Sequence, residues 1–174
     1  EVRKQGAYTV SALSTTINAL LSCGGIKETG SLRRIQLKRG GKVLSTLDLY
    51  DLLMHGDTSA DQPLQPGDVI FVPMVEKQIT ISGAVRRSAK YEILQNETLQ
   101  DSIDLAGGVN NRAYLNNIRI ERLGSDFRPR IKNLKMPEDL SFKIQSGDLI
   151  SFSSAGVKLT NGVSLIGTFQ RPGE

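Results

Sequence analysis

The sequence predicts an α+β protein built from two tandem copies of one small unit, each a mixed sheet with one helix packed across a face. Two observations predict it. The first is an ungapped self-match in which residues 2–39 recur as 85–122 at a constant offset of 83. It preserves Val2/Val85, Arg3/Arg86, Tyr8/Tyr91, Thr15/Thr98, Gly24/Gly107, Gly25/Gly108, Leu32/Leu115, Ile35/Ile118 and Arg39/Arg122, where average residue usage gives about two identities by chance. The second is the order of patterns inside each copy: an alternating segment, a capped apolar helix, an alternating hairpin and a closing strand.

Each element follows from its residues. Gln78-Ile79-Thr80-Ile81-Ser82-Gly83 alternates like a half-buried strand, and Tyr91-Glu92-Ile93 begins its returning partner. Thr98 with Asp101 three residues later is a helix-start signature, and Thr15 with Asn18 occupies the matching place. Leu99, Ile103 and Ala106 share one helical face, as Leu20 and Cys23 do in the first copy, and Gly107-Gly108 and Gly24-Gly25 stop the two helices. Ile35 to Arg39 and Ile118 to Arg122 alternate and run into turns at Gly40-Gly41 and Gly124-Ser125-Asp126, each returning a second strand. Leu47 to Met54 and Lys132 to Leu140 read as irregular or short helical connections. The closing strands follow Pro66-Gly67-Asp68 and Ser146-Gly147-Asp148, where the glycine suits the third position of a type II turn. This order is a β-grasp arrangement.

Composition narrows the function classes. The 174 residues carry 22 basic and 18 acidic side chains for a net charge of +4, which favours solubility and weak affinity for polyanions. Aromatics are 5% with no Trp, too few to stack bases along a basic stripe, so a nucleic-acid partner is not expected. One cysteine excludes an internal disulfide and supplies no thiolate set for a zinc or iron–sulfur centre. No cofactor is expected.

Three segments together resemble the soluble-ligand-binding β-grasp (SLBB) repeat, a ubiquitin-like unit. They are Ile79 to Val85, the helix end Ile103-Asp104-Leu105-Ala106-Gly107-Gly108-Val109, and the closing Leu64-Gln65-Pro66-Gly67-Asp68-Val69-Ile70-Phe71-Val72-Pro73. Ser88-Ala89 stands where Pro172-Gly173 fits the family, and Cys23 replaces its usual Ala. The resemblance divides the chain into a first repeat at 1–73 lacking its opening strand, a second at 75–160, and the opening strand of a further repeat at 163–174. A longer parent is therefore expected, and nothing about its targeting follows from these residues.

Tandem copies are similar to the periplasmic part of outer-membrane polysaccharide export proteins. That resemblance implies a non-enzymatic module that self-associates into a ring-like wall for capsular or exopolysaccharide, works with inner-membrane export machinery, and belongs to a parent with a lipid-anchor cysteine and a membrane-spanning helix. A small-ligand or saccharide-binding domain, with a groove between the copies, is the alternative. A redox-complex subunit is a third class, disfavoured by the single cysteine.

Few residues point to chemistry. Cys23 corresponds to Ala106 and reads as a small core residue rather than a reactive thiol. His55 is the single imidazole and reads as a segment end. Asp68 and Asp148 read as turn residues, not paired carboxylates, and the double glycines end helices, whereas phosphate loops open them. Tyr8 and Tyr91 read as core or hairpin residues. The remaining candidates are basic. Arg33, Arg34, Lys38 and Arg39 crowd one hairpin, Arg119, Arg122, Arg128 and Arg130 its counterpart, and together they are expected to offer a stripe to acidic polysaccharide or to an acidic neighbouring subunit. Copy one should also expose a sheet edge that residues 162–167 of another molecule could fill.

Overall fold

Each copy carries a capped helix. In the computed structural model, which describes residues 1–154, α1 (Thr16–Ser22) starts at Thr15, whose hydroxyl accepts the Asn18 N–H. Its counterpart α3 (Leu99–Leu105) carries a full capping box between Thr98 and Asp101. Gly25 N–H closes onto Leu20 O at 2.8 Å and Gly108 N–H onto Ile103 O at 2.9 Å. All four glycines of the two helix ends have positive φ, from 75° to 94°, a region that a Cβ disfavours.

In copy one, β1 (Ile35–Arg39) pairs with β2 (Lys42–Leu47), then α2 (Leu49–His55) intervenes before β3 (Val69–Phe71). These strands form an antiparallel sheet of order β2-β1-β3. Copy two contains β4 (Gln78–Gly83), β5 (Ala89–Glu92), α3, β6 (Ala113–Leu123), β7 (Pro129–Leu134) and β8 (Leu149–Ser154). Its sheet runs β5-β4-β8-β6-β7, with β4 and β8 parallel and the other neighbours antiparallel. The mixed sheet expected of each copy is therefore present in the second. In the first, no strand equivalent to β4 lies among the described residues, and β3 keeps one edge free of described strands.

The missing strand accounts for one correction. Tyr91 faces Ile79 across the β4–β5 pair and is buried, whereas Tyr8 has no such strand to pack on and is 43% exposed. The local geometry still repeats, because Tyr8 donates its hydroxyl proton to Lys4 O and Tyr91 to Arg87 O, each four residues back. The first connection is a short helix, one of the two forms expected: residues 49–55 are capped by the Asp48 carboxylate and ended by Gly56 at φ 70°. The second differs from expectation, because residues 132–134 extend β7.

The core of copy two gathers Ile79, Ile81, Leu99, Ile103, Ile118, Ile120, Ile150 and Phe152 beneath α3. Copy one packs Leu20, Cys23, Ile35, Leu47 and Val72 under α1. Cys23 is buried like Ala106, as its repeat partner implies. The expected boundary at 160 and the strand at 163–174 lie outside the described residues.

Candidate functional site

The eight basic residues do not form one stripe. Strand alternation sends neighbouring side chains to opposite faces, so Lys38 and Arg119 point away from the helices while Arg39 and Arg122 point toward the turn before the closing strand. There Arg39 makes a two-pronged contact with Asp68, Nε–Oδ1 at 2.8 Å and Nη2–Oδ2 at 2.9 Å. Arg122 holds Asp148 in the same way, with both contacts at 2.7 Å. Each carboxylate also accepts the backbone N–H three residues earlier, Gln65 or Gln145, at 2.8 Å. The fork from Arg39 holds the Asp68 carboxyl below the usual carboxylate range. Both arginines thus fasten the closing-strand turns.

Arg33 and Arg34 belong to a joint between the copies. Glu92, from β5 of copy two, is buried at 4% exposure and inserts its carboxylate into the 31–34 turn of copy one. It accepts Ser31 Oγ–H at 2.6 Å and Leu32 N–H at 2.8 Å, with Arg34 Nε at 3.7 Å. Arg33, almost buried, binds Asp48 at 2.9 Å and Glu97 of copy two at 2.6 Å. Burial alone would lower the Arg33 pKa; the bonds from both carboxylates outweigh it and raise it. The Tyr50 ring of α2 enters the core of copy two, edge-on to Tyr91 at 6.4 Å and beneath the Arg33 guanidinium at 5.2 Å. Burial raises the Tyr50 phenol pKa.

Of the remaining candidates, Lys38 is half-buried and the others are exposed. Lys38 rides over the Phe71 ring at 4.5 Å. Arg119 meets Glu121 at 3.1 Å, Arg130 lies 3.9 Å from Asp126, and Arg128 is exposed at the β6–β7 turn. His55 sits exposed at the end of α2. No cluster of three or more metal-ligating side chains occurs among the described residues, and no described helix is long and apolar enough to cross a membrane.

Beside the joint lies an open groove of about 430 Å³, bordered by Lys77, Gln95, Asn96, Lys143, Gln145 and Ser146 over Ile93 and Ile144. A smaller hollow that includes Arg34 and Glu76 continues it, sharing Lys77 and Gln95. Sequence reasoning missed both joint and groove. Their residues differ between the copies, so a search for what repeats passes over them.

Models of the SLBB domain match residues 1–72 and 78–130. The chain belongs to the SLBB family. Both SLBB matches fall on the units described above, with Tyr50 in the first and Glu92 in the second. The chain is also similar to two Escherichia coli proteins named polysialic acid transport protein KpsD, each 32% identical over 96 residues. That match covers 55% of this SLBB chain and 17% of each relative, so the chain spans less than a fifth of their length.

Proposed function

We propose that this SLBB pair is a structural and assembly module in the periplasmic part of an outer-membrane-associated polysaccharide export protein, without enzymatic activity. The observation that carries the reading is the joint. A buried carboxylate, a guanidinium with two carboxylate partners and a tyrosine shared with the next core fix one repeat on another, as a wall built from serial units requires. The similarity to a polysialic acid transport protein supplies the class of cargo.

The outer sheet faces support self-association. In copy one, Val69 and Phe71 are exposed, and Lys38 pairs in register with Val69. In copy two, Leu149, Ile131 and Leu123 are exposed, with Glu121 opposite both Leu149 and Ile131. Lys38 and Glu121 occupy the same place in the repeat with opposite charge. Copy one of one molecule is thus complementary to copy two of the next, a heterologous contact that forms a ring when its rotation closes. Lys38, Arg119, Arg128 and Arg130 remain the contact candidates for an acidic polymer or neighbour, and inner-membrane export machinery is the expected partner of the parent.

Light scattering across a concentration series tests this. Lys38→Glu or Glu121→Lys alone should weaken association, and the double exchange should restore it. Removing residues 163–174 separates this contact from strand donation, which would be lost with the tail. A chain that stays monomeric at every concentration, with a parent that exports normally without both repeats, would overturn the reading.

A further inference from the structure

We propose that the groove beside the joint is a weak binding site for an acidic saccharide, the anionic sugar unit of a polymer. The inference rests on the export reading only for the choice of polymer; its chemistry stands on the groove itself. Lys77 and Lys143 bring two ammonium groups, and neither forms an ion pair among the described residues. Gln95, Asn96 and Gln145 add amides that both donate and accept, which is what sugar hydroxyls need. Leu94, 37% exposed, gives an apolar surface for the C–H face of a sugar ring, with the buried Ile93 and Ile144 beneath the groove. An ammonium then matches the carboxylate of an acidic unit. Nucleic acid fits less well, because no aromatic side chain borders the groove for a base to stack on.

The groove is held in shape before any ligand arrives. Ile93 N–H bonds Lys77 O at 3.0 Å, Gly147 N–H bonds Gln78 O at 2.8 Å, and Ile144 N–H bonds Glu97 O at 3.1 Å. The Glu97 carboxylate also accepts Leu94 N–H at 2.9 Å while reaching Arg33 of copy one, so the joint braces one wall.

Copy one supplies an internal control. The bridge Thr98–Lys143 recurs there as Thr15–Pro63, and the bond from Ile144 N–H to Glu97 O recurs as Leu64 N–H to Ser14 O. Asn96 takes a φ of 68° where Leu13 has no positive φ, and the bonds to Lys77 O and Gln78 O have no counterpart among the described residues of copy one, but these two backbone contacts are shared. The side chains are not: Gln95, Asn96, Lys143 and Ser146 correspond to Ala12, Leu13, Pro63 and Pro66. The shared contacts therefore do not require the Lys143 cation or the Gln95 amide, whereas Asn96 also suits its left-handed turn position and Gln145 recurs as Gln65.

The test is an amide NMR titration of the whole chain with a sialic acid tetramer, the acid in the name of the polysialic acid transport protein, beside maltotetraose as a neutral control. Saturable, salt-sensitive shifts at residues 77, 93–96 and 143–146, with millimolar affinity, are expected from the acidic tetramer alone. The Lys77→Gln/Lys143→Gln variant should keep the native spectrum, since both side chains are exposed, and bind at least about tenfold more weakly, the loss expected for one charge-assisted hydrogen bond. Equal shifts from maltotetraose, shifts gathering at Arg119, Arg128 and Arg130, or unchanged affinity in the double variant would overturn the groove. None of these results touches assembly. A parent lacking both repeats yet exporting normally would instead remove the export reading.

Discussion

The phenolic oxygen of Tyr50 accepts the backbone N–H of Glu92 at 3.0 Å, so a helix of the first repeat satisfies a buried donor in a strand of the second. The bond is specific to phenol. Replacing Tyr50 with Phe keeps the ring in its pocket and leaves the Glu92 N–H without its partner, which should cost about 1 to 2 kcal/mol. Urea unfolding checks this, and Tyr50→Ala should cost more because it also opens a cavity.

The Glu92 carboxylate is the other half of the joint. Glu92→Gln keeps its shape and removes the charge facing Arg34, while its amide can accept from only one side of the 31–34 turn. A destabilisation of about 1 to 3 kcal/mol is expected, the cost of leaving a buried donor of that turn without its acceptor. Small-angle scattering should show a broader spread of inter-repeat arrangements; an unchanged profile would mean that Tyr50 alone sets the angle.

Acid should act on the closing-strand turn of copy one. The Asp68 carboxyl is held below its ordinary pKa, chiefly by the Arg39 fork. Its stabilising contribution is complete above the unfolded carboxyl value of about 3.9 and is lost as pH falls through the lower folded value. Melting temperature measured against pH should therefore drop in that window, and Asp68→Asn should flatten the drop while lowering stability near neutrality.

Gly83 is the most restrictive of the described glycines. Its φ is 87°, and a Cβ there would collide with the carbonyl oxygen of Phe152 where β4 runs beside β8. Gly83→Ala should destabilise the second repeat by about 3 kcal/mol or more. Amide exchange along β8 should speed up accordingly, while that of α1 changes little.

Features that a few adjacent residues decide were legible in the sequence. The Thr15 and Thr98 caps, the glycine helix ends and the turns before β3 and β8 each follow from a short run. The Arg39–Asp68 and Arg122–Asp148 pairs were within reach, since an arginine and a carboxylate recur together in both copies. They were read apart because the residues lie 29 and 26 positions from each other. The joint was not legible. Thr9 and Glu92 share a place in the repeat, and only the fold shows that one of them meets the 31–34 turn. The helix α2 was half-legible, because a seven-residue segment offers little periodicity.

Tyr50 also gives the chain a direction in time. Synthesis proceeds from the amino end, so this tyrosine leaves the ribosome well before β8 completes the core that buries it, a delay of roughly five to twenty seconds at ordinary elongation rates. During that interval the first repeat displays an aromatic side chain with nothing to cover it. The second repeat, made alone, would lack a piece of its own interior. The unit that recurs in the sequence is thus smaller than the unit that completes itself during translation.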